Sequence, residues 1–552
     1  MRPTRTIVFA LAAVVAFSVF PVPAPAQVSL DDAIVTAFEI NAELRPAPFA
    51  GVCDVASCQI TSFGFLRGRT VAQIEVTSPN PVTTMRWVLD DDLQVRSVTG
   101  PGVSFRRDRF YILLTFSPPL VAGTRLALTF EYEGRVGLVW DDLILAWDGL
   151  LYPTLSSPFG DISSNRAPIK TTVTIPQGYL LASTGAMSRR DAGGMQVYEW
   201  QSAPLPYIAV VGGKVGFYQA VERQAGQVPL TIFIRPQYDR FLNQIVDFTG
   251  KAAEFYGRIL YPFPTGRITL VASPFGRSLL GIGLPSLMMI TEEAFQPADP
   301  TLNRDSFRLL LVAHEAAHTY FPAETSGKGI GYIWLSEGFA EYLGLMTVEE
   351  VLGKEAFARE LAEERRIYAR VAGQDLPIAA YTWINSGTTP AVIVRYQKGA
   401  YVLHMLRHVV GTPTFLSIMK TYATRFRARS VRVSGFQEVA QEVYGQSLDW
   451  FFQEWIYQRV LPDYTIESAT SAAAEGGTRT TARVRNLGTG QMPVDVVFEM
   501  DGGERVTRRV TVGSRADATV EVITPRPVRR VEVDPDKWIL QTNYTNDAAT
   551  VR

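Results

Sequence analysis

Two histidines with a glutamate between them lie in the segment LVAHEAAHTYF (residues 311–321) and have the side-chain types and spacing of a metal site. On a helix, positions i and i+4 share one face, so His314 and His318 can both reach one ion. Glu315 lies one position further round and points to the same side. The segment therefore indicates either a hydrolytic zinc site or two histidines that share a helical face without a ligand.

The apolar sequence FRLLLVA, which precedes the first histidine, predicts a buried helix that would keep these side chains rigid, with Asp305 or Ser306 as its N-cap. A second pair with the same spacing, His404 and His408 in HMLRH, lacks a glutamate after the first histidine. We interpret that second pair as an ordinary helical face.

A third candidate ligand distinguishes the first pair. Glu337 in YIWLSEGFAEYLGL begins the next helical segment, with eighteen residues between it and His318. Two imidazoles and one carboxylate leave a fourth tetrahedral position open for water, and they favour one zinc ion over calcium or magnesium. Zinc lowers the pKa of such a water toward about 7, and Glu315 is placed to take its proton and deliver it to a leaving amine. Glu341, one turn after Glu337, either orients one of the histidines or is a solvated helix residue.

These motifs resemble those of the gluzincin zinc peptidases of the aminopeptidase N family. HEAAH, the eighteen-residue gap and WLSEGFA match the family's zinc-binding segments, and EFYGRILYPFP (254–264) and YQKGA (396–400) match two further segments in the right order. The resemblance implies that Tyr396 donates a hydrogen bond to the oxyanion of the tetrahedral intermediate, which suits a phenol that stays protonated at neutral pH. It also implies a short form of the family, without the large helical C-terminal domain of longer members.

One segment departs from the family pattern. Aminopeptidases of this family have a GxMEN strand whose glutamate binds the free α-ammonium group of the substrate, and here the aligned residues are GIGLP (281–285). Leu284 cannot pair with a cation, so Glu292 or Glu293 would have to replace the missing acid, or the enzyme would accept internal bonds. Gly281 and Gly283 are predicted either to let the substrate backbone approach the strand closely or to form a turn without ligand contact.

Chain length and the spacing of apolar residues predict a multidomain α+β protein. The chain has 552 residues, of which 47% are hydrophobic, enough for several domains. Short alternating runs predict an all-β saddle or sandwich over 27–236, helical spacing predicts a mainly helical domain over 237–464, and strands return as a small β-sandwich over 465–552. The resemblance implies that the middle domain is a thermolysin-like zinc peptidase.

The N-terminal residues 1–26 read as a secretory signal, with two arginines, an apolar stretch and an Ala-Pro-Ala cleavage site. We therefore expect export to the periplasm or the medium, with a retained anchor as the alternative. Cys53 and Cys58, the two cysteines of the chain, suit a structural disulfide in that compartment. A net charge of -1 argues against nucleic acid as a partner, and the sequence does not indicate the oligomeric state.

The leading hypothesis is a secreted zinc metallopeptidase that acts as an aminopeptidase on peptides. Endopeptidase or oligopeptidase action is the alternative, because Leu284 removes one means of recognising a free N-terminus. A zinc hydrolase of a non-peptide bond and a non-catalytic binding protein on a peptidase fold are two further hypotheses from other classes. Retention of every candidate ligand, the base and the tyrosine favours an enzyme.

Overall fold

The computed structural model of the chain describes residues 32–47, 51–53, 58–60, 64–136, 144–147, 151–155, 166–216, 218–273, 280–295, 304–381 and 388–552. The predicted signal segment lies outside these residues. Within them, no helix is both long enough and apolar enough to cross a membrane.

The first part of the chain is built from strands whose side chains alternate between core and solvent. In β4, Leu66, Thr70 and Ile74 are buried and Arg67 and Arg69 between them are exposed, as expected for a strand covered on one face. The strands are β1 (Ala33–Arg45), β2 (Gly51–Cys53), β3 (Cys58–Ile60), β4 (Gly64–Val76), β5 (Val82–Val88), β6 (Leu93–Thr99), β7 (Val103–Asp108), β8 (Tyr111–Leu120), β9 (Arg125–Val136), β10 (Ile144–Trp147), β11 (Thr154–Leu155), β12 (Ile169–Pro176), β13 (Tyr179–Ala182), β14 (Ala186–Ala192), β15 (Met195–Gln201) and β16 (Ala209–Lys214).

Three sheets of this part enclose a common core. Their strand orders are β14-β15-β12-β1-β4-β9-β6, β11-β5-β8-β7 and β10-β16-β13. The core contains Trp87, Phe130 and Tyr152. A separate two-stranded ladder places the backbone of Cys53 opposite that of Cys58; their side chains lie outside the described part, so the disulfide stays a prediction.

A five-stranded sheet comes next, with the order β17-β18-β19-β21-β20. Its strands are β17 (Gln219–Ala225), β18 (Val228–Ile234), β19 (Ile268–Ser273), β20 (Gly281–Leu284) and β21 (Leu287–Thr291). The boundary expected at residue 236 falls between strands of this sheet, because β17 pairs with β18 and β18 pairs with β19. The sequence analysis placed β17 and β18 in the preceding β-rich part because they have the alternating pattern of strands.

The middle of the chain is mainly helical. Its helices are α1 (Leu242–Ile259), α2 (Asp305–Ala317), α3 (Phe339–Leu352), α4 (Lys354–Tyr368), α5 (Thr389–Ile393), α6 (Gly399–Val410), α7 (Thr412–Arg425), α8 (Val433–Tyr444) and α9 (Asp449–Phe452), and two short strands, β22 (Thr325–Gly327) and β23 (Arg429–Val431), pair beside them. Three π-helical turns adjoin helices: Trp334–Gly338 before α3, Val394–Lys398 before α6 and Gln453–Tyr457 after α9. Neither predicted N-cap is correct, since Arg304 precedes α2 and Asp305 is its first residue.

The last part of the chain returns to strands, as the sequence predicts. They are β24 (Tyr464–Ala474), β25 (Gly477–Asn486), β26 (Met492–Met500), β27 (Arg505–Val512), β28 (Asp517–Thr524), β29 (Val528–Val533) and β30 (Ala548–Thr550). They form sheets in the orders β24-β25-β28 and β27-β26-β29-β30. Their buried side chains belong to a hydrophobic core that continues into the helices, whereas the N-terminal strands have a core of their own. The architecture is therefore multidomain α+β, with a β-rich N-terminal part and a helical part.

Candidate metal centre and catalytic site

The two histidines of HEAAH are buried side by side at the end of α2. His314, Glu315 and His318 are each about 95% buried, with exposed fractions of 6%, 5% and 6%. His318 lies one residue beyond the last residue of α2 but keeps helical backbone angles, and its N–H still points to the His314 carbonyl at 3.3 Å. The i and i+4 side chains therefore face the same point.

Glu337 completes a triangle of donor atoms. The two Nε2 atoms of His314 and His318 are 3.1 Å apart, and Glu337 Oε2 lies 3.7 Å from the first and 3.5 Å from the second. Donors about 2.1 Å from a common tetrahedral zinc ion are roughly 3.4 Å apart. Glu337 Oε2 is buried without a hydrogen-bond partner among the described residues, so the three residues fit a zinc ion in both donor type and spacing.

The far nitrogens of both histidines have partners that set their ring orientation. Nδ1 of His314 lies 2.6 Å from Oε2 of Glu341, and Nδ1 of His318 lies 2.8 Å from the carbonyl oxygen of Phe321. A carboxylate or carbonyl that accepts from Nδ1 leaves Nε2 free to bind a metal. Glu341 is only 8% exposed, which excludes the solvated alternative considered for it.

Neighbouring charges raise the pKa of His314 and lower that of Glu337, whereas burial raises the pKa of Glu315. Burial alone would lower the pKa of His314, but Glu337 and Glu341 outweigh it and raise the pKa well above its ordinary value. Burial alone would raise the pKa of Glu337, but His318 and His314 hold it well below its ordinary value. Burial raises the pKa of Glu315 from 4.5 to about 7 despite the nearby histidines. A carboxyl group with a pKa near neutrality can exchange a proton in both directions.

Close packing of α2 on α3 positions the acids opposite the histidines. A methyl group at Gly344 of α3 would lie 2.8 Å from Leu310 Cδ1 and 3.1 Å from the Leu310 carbonyl oxygen, both in α2. The lack of a side chain at Gly344 allows this close approach without a shift of Leu310. The close contact brings Glu341, on the same helix, within hydrogen-bonding distance of His314.

Glu337 and Tyr396 both lie in π-helical turns, and these two turns touch. Trp334 Nε1 donates a 3.0 Å hydrogen bond to the Gly399 carbonyl, and a methyl group at Gly399 would lie 3.2 Å from the Gly338 Cα. A π-helical turn adds a residue to the helix and redirects side chains, and such turns are frequent at functional sites. The helical spacing of the sequence did not indicate them.

Tyr396 lies against the candidate metal ligands. Its ring stacks on the ring of His314, with centroids 5.6 Å apart and planes 16° apart. Burial, together with the negative charge of Glu337, raises its pKa well above the ordinary value. Tyr396 is therefore a protonated donor beside the triangle.

The glycines of β20 are required by contact with α2. A methyl group at Gly281 would lie 2.2 Å from Glu315 Oε1, and one at Gly283 would lie 2.5 Å from His318 Cβ and 2.4 Å from the Glu315 carbonyl oxygen. Any side chain at these two positions would collide with Glu315 or His318. This packing contact is a reason for glycine that differs from the substrate approach and the turn considered in the sequence analysis. A contact of β20 with substrate stays a prediction.

Leu284 belongs to a small apolar cluster with Tyr218, Phe233 and Met289. Of the two acids that could replace the missing glutamate, Glu292 is buried in an ion pair with Arg235. An arginine that neutralises a carboxylate in this way leaves it poorly suited to bind an ammonium group. Glu292 is therefore a poor substitute.

The second histidine pair has the structural role expected for it. His404 stacks on Trp538 with ring centroids 4.3 Å apart, and His408 stacks on the same tryptophan at 5.1 Å. Burial, with help from neighbouring cations, lowers the pKa of both histidines. This face of α6 therefore packs against the C-terminal strands. Among the described residues, His314, His318 and Glu337 are the one group arranged to bind a metal.

Comparison with known proteins agrees with the geometry. A sequence profile of the peptidase family M1 domain matches residues 246–455. The chain is 24% identical to a leucyl aminopeptidase of Saccharolobus solfataricus over 55% of this chain and 40% of that protein. It is 21% identical to a glutamyl aminopeptidase of Sus scrofa (56% and 34%) and 21% identical to an aminopeptidase N of Plutella xylostella (64% and 39%). The matched stretch thus spans less than half the length of each of these relatives. The chain carries a peptidase family M1 domain, which confirms its resemblance to the gluzincin metallopeptidases of the aminopeptidase N family.

Proposed function

We propose that this protein is an exported, zinc-dependent metallopeptidase that hydrolyses peptide bonds as an aminopeptidase. The observation that carries the proposal is the triangle of His314, His318 and Glu337 donor atoms with the buried carboxyl of Glu315 beside it. Zinc, when bound there, would supply a Lewis acid that lowers the pKa of water and polarises a carbonyl group. The relatives with aminopeptidase names support the same activity.

Glu315 is the proposed general base and acid. It is buried beside the donor atoms, where a carboxylate can accept a proton from the attacking water and return that proton to the leaving amine. Its Oε2 is buried with no hydrogen-bond partner among the described residues, so this atom is available to a water molecule. Tyr396 would donate a hydrogen bond to the oxyanion of the tetrahedral intermediate, where a preorganised donor is most effective.

The finer features of the architecture belong to the same proposal. The helical part would be a thermolysin-like catalytic domain between an N-terminal β-saddle or sandwich and a C-terminal β-sandwich. The first boundary lies better before β17 than at residue 236, because β17 and β18 are part of the sheet that carries β20. The second boundary stays near residue 464, and residues 1–26 remain the proposed export signal.

Endopeptidase action is the second candidate, and a specific observation favours it. Leu284, which we place at the position of the family's ammonium-binding glutamate, is buried in an apolar cluster, and the carboxylate of Glu292 is paired with Arg235. A site without a free carboxylate at these two positions has less means of distinguishing an α-ammonium group from an amide.

One experiment tests both candidates. A peptide is supplied with a free or an acetylated N-terminus to the zinc-loaded protein, and the products are mapped by mass spectrometry. Removal of single N-terminal residues from the free form alone supports an aminopeptidase, and internal cleavage of both forms supports an endopeptidase. Glu315→Gln should abolish either activity, while Glu350→Gln, an exposed residue of α3, is the matched control.

The ligand assignment has its own test. Zinc content measured by elemental analysis should be close to one ion per wild-type chain and should fall in His318→Ala. Unchanged zinc content in that variant would contradict the assignment of His318 as a ligand.

A further inference from the structure

Arg395 directly precedes the proposed oxyanion donor Tyr396, within the same π-helical turn. It is 7% exposed, so a full positive charge is buried at the edge of the metal centre. Moving a guanidinium out of water is costly unless it finds charged or hydrogen-bonding partners. The partners of Arg395 are therefore informative.

Comparison with the other buried arginines makes Arg395 exceptional. Three arginines are buried in the described part of the chain: Arg308, Arg395 and Arg407. Arg308 pairs with Asp305 at 2.6 Å, and Arg407 pairs with Glu349 at 2.6 Å. Arg395 forms no ion pair with a described residue, and its Nε is buried without a hydrogen-bond acceptor there. The fold thus leaves the binding capacity of this one guanidinium unused.

The position of the guanidinium is next to the reacting groups. Its central carbon is 5.4 Å from the centre of the Tyr396 ring, and the same ring stacks on the ring of His314. The charge of Arg395 also acts on Glu337 and Tyr396, since it is among the causes that lower the pKa of each. A ligand that reaches Arg395 would therefore lie close to the scissile bond.

We propose that Arg395 binds a carboxylate of the substrate and makes the enzyme prefer peptides that carry one beside the cleaved bond. A carboxylate matches the planar fork of arginine with two parallel hydrogen bonds, and it offsets the buried charge as no neutral amide can. In a peptide the carboxylate comes either from an aspartate or glutamate side chain or from the free C-terminus. This inference rests on the proposed peptidase function and adds a substrate class to it.

Two pairs of substrates separate these sources. One pair of peptides differs only by Glu or Gln on the residue after the cleaved bond, and one pair of dipeptides differs only by a C-terminal carboxylate or amide. We expect kcat/KM of the wild-type protein to favour the carboxylate member of at least one pair by roughly 10- to 100-fold, the strength of a charge-assisted hydrogen bond. The pair that shows the preference identifies the source.

Substitution of the arginine tests its role. In Arg395→Gln the ratio of kcat/KM within each pair should fall to about one, and in Arg395→Lys part of the preference should remain because the charge is kept. Arg407→Gln removes an equally buried but paired arginine outside the site, and it should leave the ratio as in wild type. Zinc content and thermal stability are measured for each variant.

Two results would overturn the inference: equal ratios in wild type and Arg395→Gln, or a wild-type protein that does not favour the carboxylate member of either pair. An equal loss on all substrates with the ratio retained would show that Arg395 only supports Glu337 and Tyr396. If the zinc-loaded wild type cleaves no peptide at all, the proposed function fails instead. Calorimetric binding of the same peptides to Glu315→Gln, with and without Arg395→Gln, then still decides whether Arg395 binds carboxylates.

Discussion

Glu341 Oε2 lies 2.6 Å from Nδ1 of His314, so a buried carboxylate on α3 contacts the ring of a proposed metal ligand on α2. We expect Glu341→Ala to weaken zinc binding by about 10- to 100-fold, because the imidazole loses the partner that orients it and raises its basicity. Glu341→Gln should have a smaller effect, since the amide oxygen still accepts a hydrogen bond. Competition titration with a chelating dye measures the affinity, Glu350→Gln is the control on the same helix, and an unchanged zinc affinity in Glu341→Ala would contradict the role.

Gly283→Ala should displace the end of α2. The added methyl group would lie 2.4 Å from the Glu315 carbonyl oxygen and 2.5 Å from His318 Cβ, so backbone must move. We expect a loss of about 1–3 kcal/mol in the free energy of unfolding, together with weaker zinc binding. Gly257→Ala in α1 is the matched control: its methyl group would find its nearest neighbour at 3.9 Å, and the better helix propensity of alanine should stabilise by up to about 1 kcal/mol. Equal urea midpoints for the two variants would rule out the steric argument.

The stability of the metal-free protein should depend on pH through Glu315. Burial raises its pKa from 4.5 to about 7. A raised folded-state pKa contributes stability below the unfolded value that is lost as the pH rises through the folded value. The metal-free Glu315→Gln variant should therefore be more stable than wild type above about pH 7, by up to roughly 3 kcal/mol, and the difference should shrink toward the pKa of 4.5 expected for the unfolded chain. Urea unfolding in chelator across this range provides the measurement, and a difference independent of pH would argue against the assignment.

Lys398, in the same π-helical turn as Tyr396, forms a completely buried ion pair with Asp375 at 2.6 Å. Lys398→Met should destabilise the protein by about 3–5 kcal/mol, because it leaves a buried carboxylate without its counter-charge, and the hydroxyl of Tyr368 is the remaining hydrogen-bond donor to it. Replacing both partners by apolar residues should recover much of that loss. Lys251→Met, which removes an exposed pair with Asp247, should cost no more than about 1 kcal/mol. Denaturant unfolding compares the variants, and a small effect of Lys398→Met would show that water reaches Asp375.

Local patterns in the sequence predicted much of the fold and of the site. Alternation predicted strands such as β4 and β26, where every second side chain is buried. Helical spacing predicted α2 and placed His314 and His318 on one face. Both signals work because they depend on repeats of two or 3.6 residues, which neighbouring residues alone determine. The same alternation did not reveal that β17 and β18 join the sheet of β19, β20 and β21, since the pattern of one strand does not show which sheet it joins.

The surroundings of Glu341 and Glu292 depend on contacts with residues distant in sequence. The acidic side chain of Glu341 could have been solvated, and the close approach of α3 to α2 at Gly344 decided that it is buried against His314. Glu292 could have met a substrate amine, and Arg235 decided otherwise. Spacing left both roles of Glu341 open and gave no sign of Arg235, because each contact joins residues more than twenty positions apart along the chain.

The sequence by itself determined which residues could bind a metal, since donor type and helical spacing are local properties of HEAAH and of the segment around Glu337. Only the tertiary structure decided that two π-helical turns bring Glu337 and Tyr396 to the same histidines, with Trp334 and Gly338 of the first turn packed on Gly399, directly after the second. It alone revealed that Arg395 is buried there without a partner among the described residues. The physical reason is that the burial of a side chain and its hydrogen-bond or ion-pair partners depend on packing between elements. The periodicity of one helix or strand does not encode that packing.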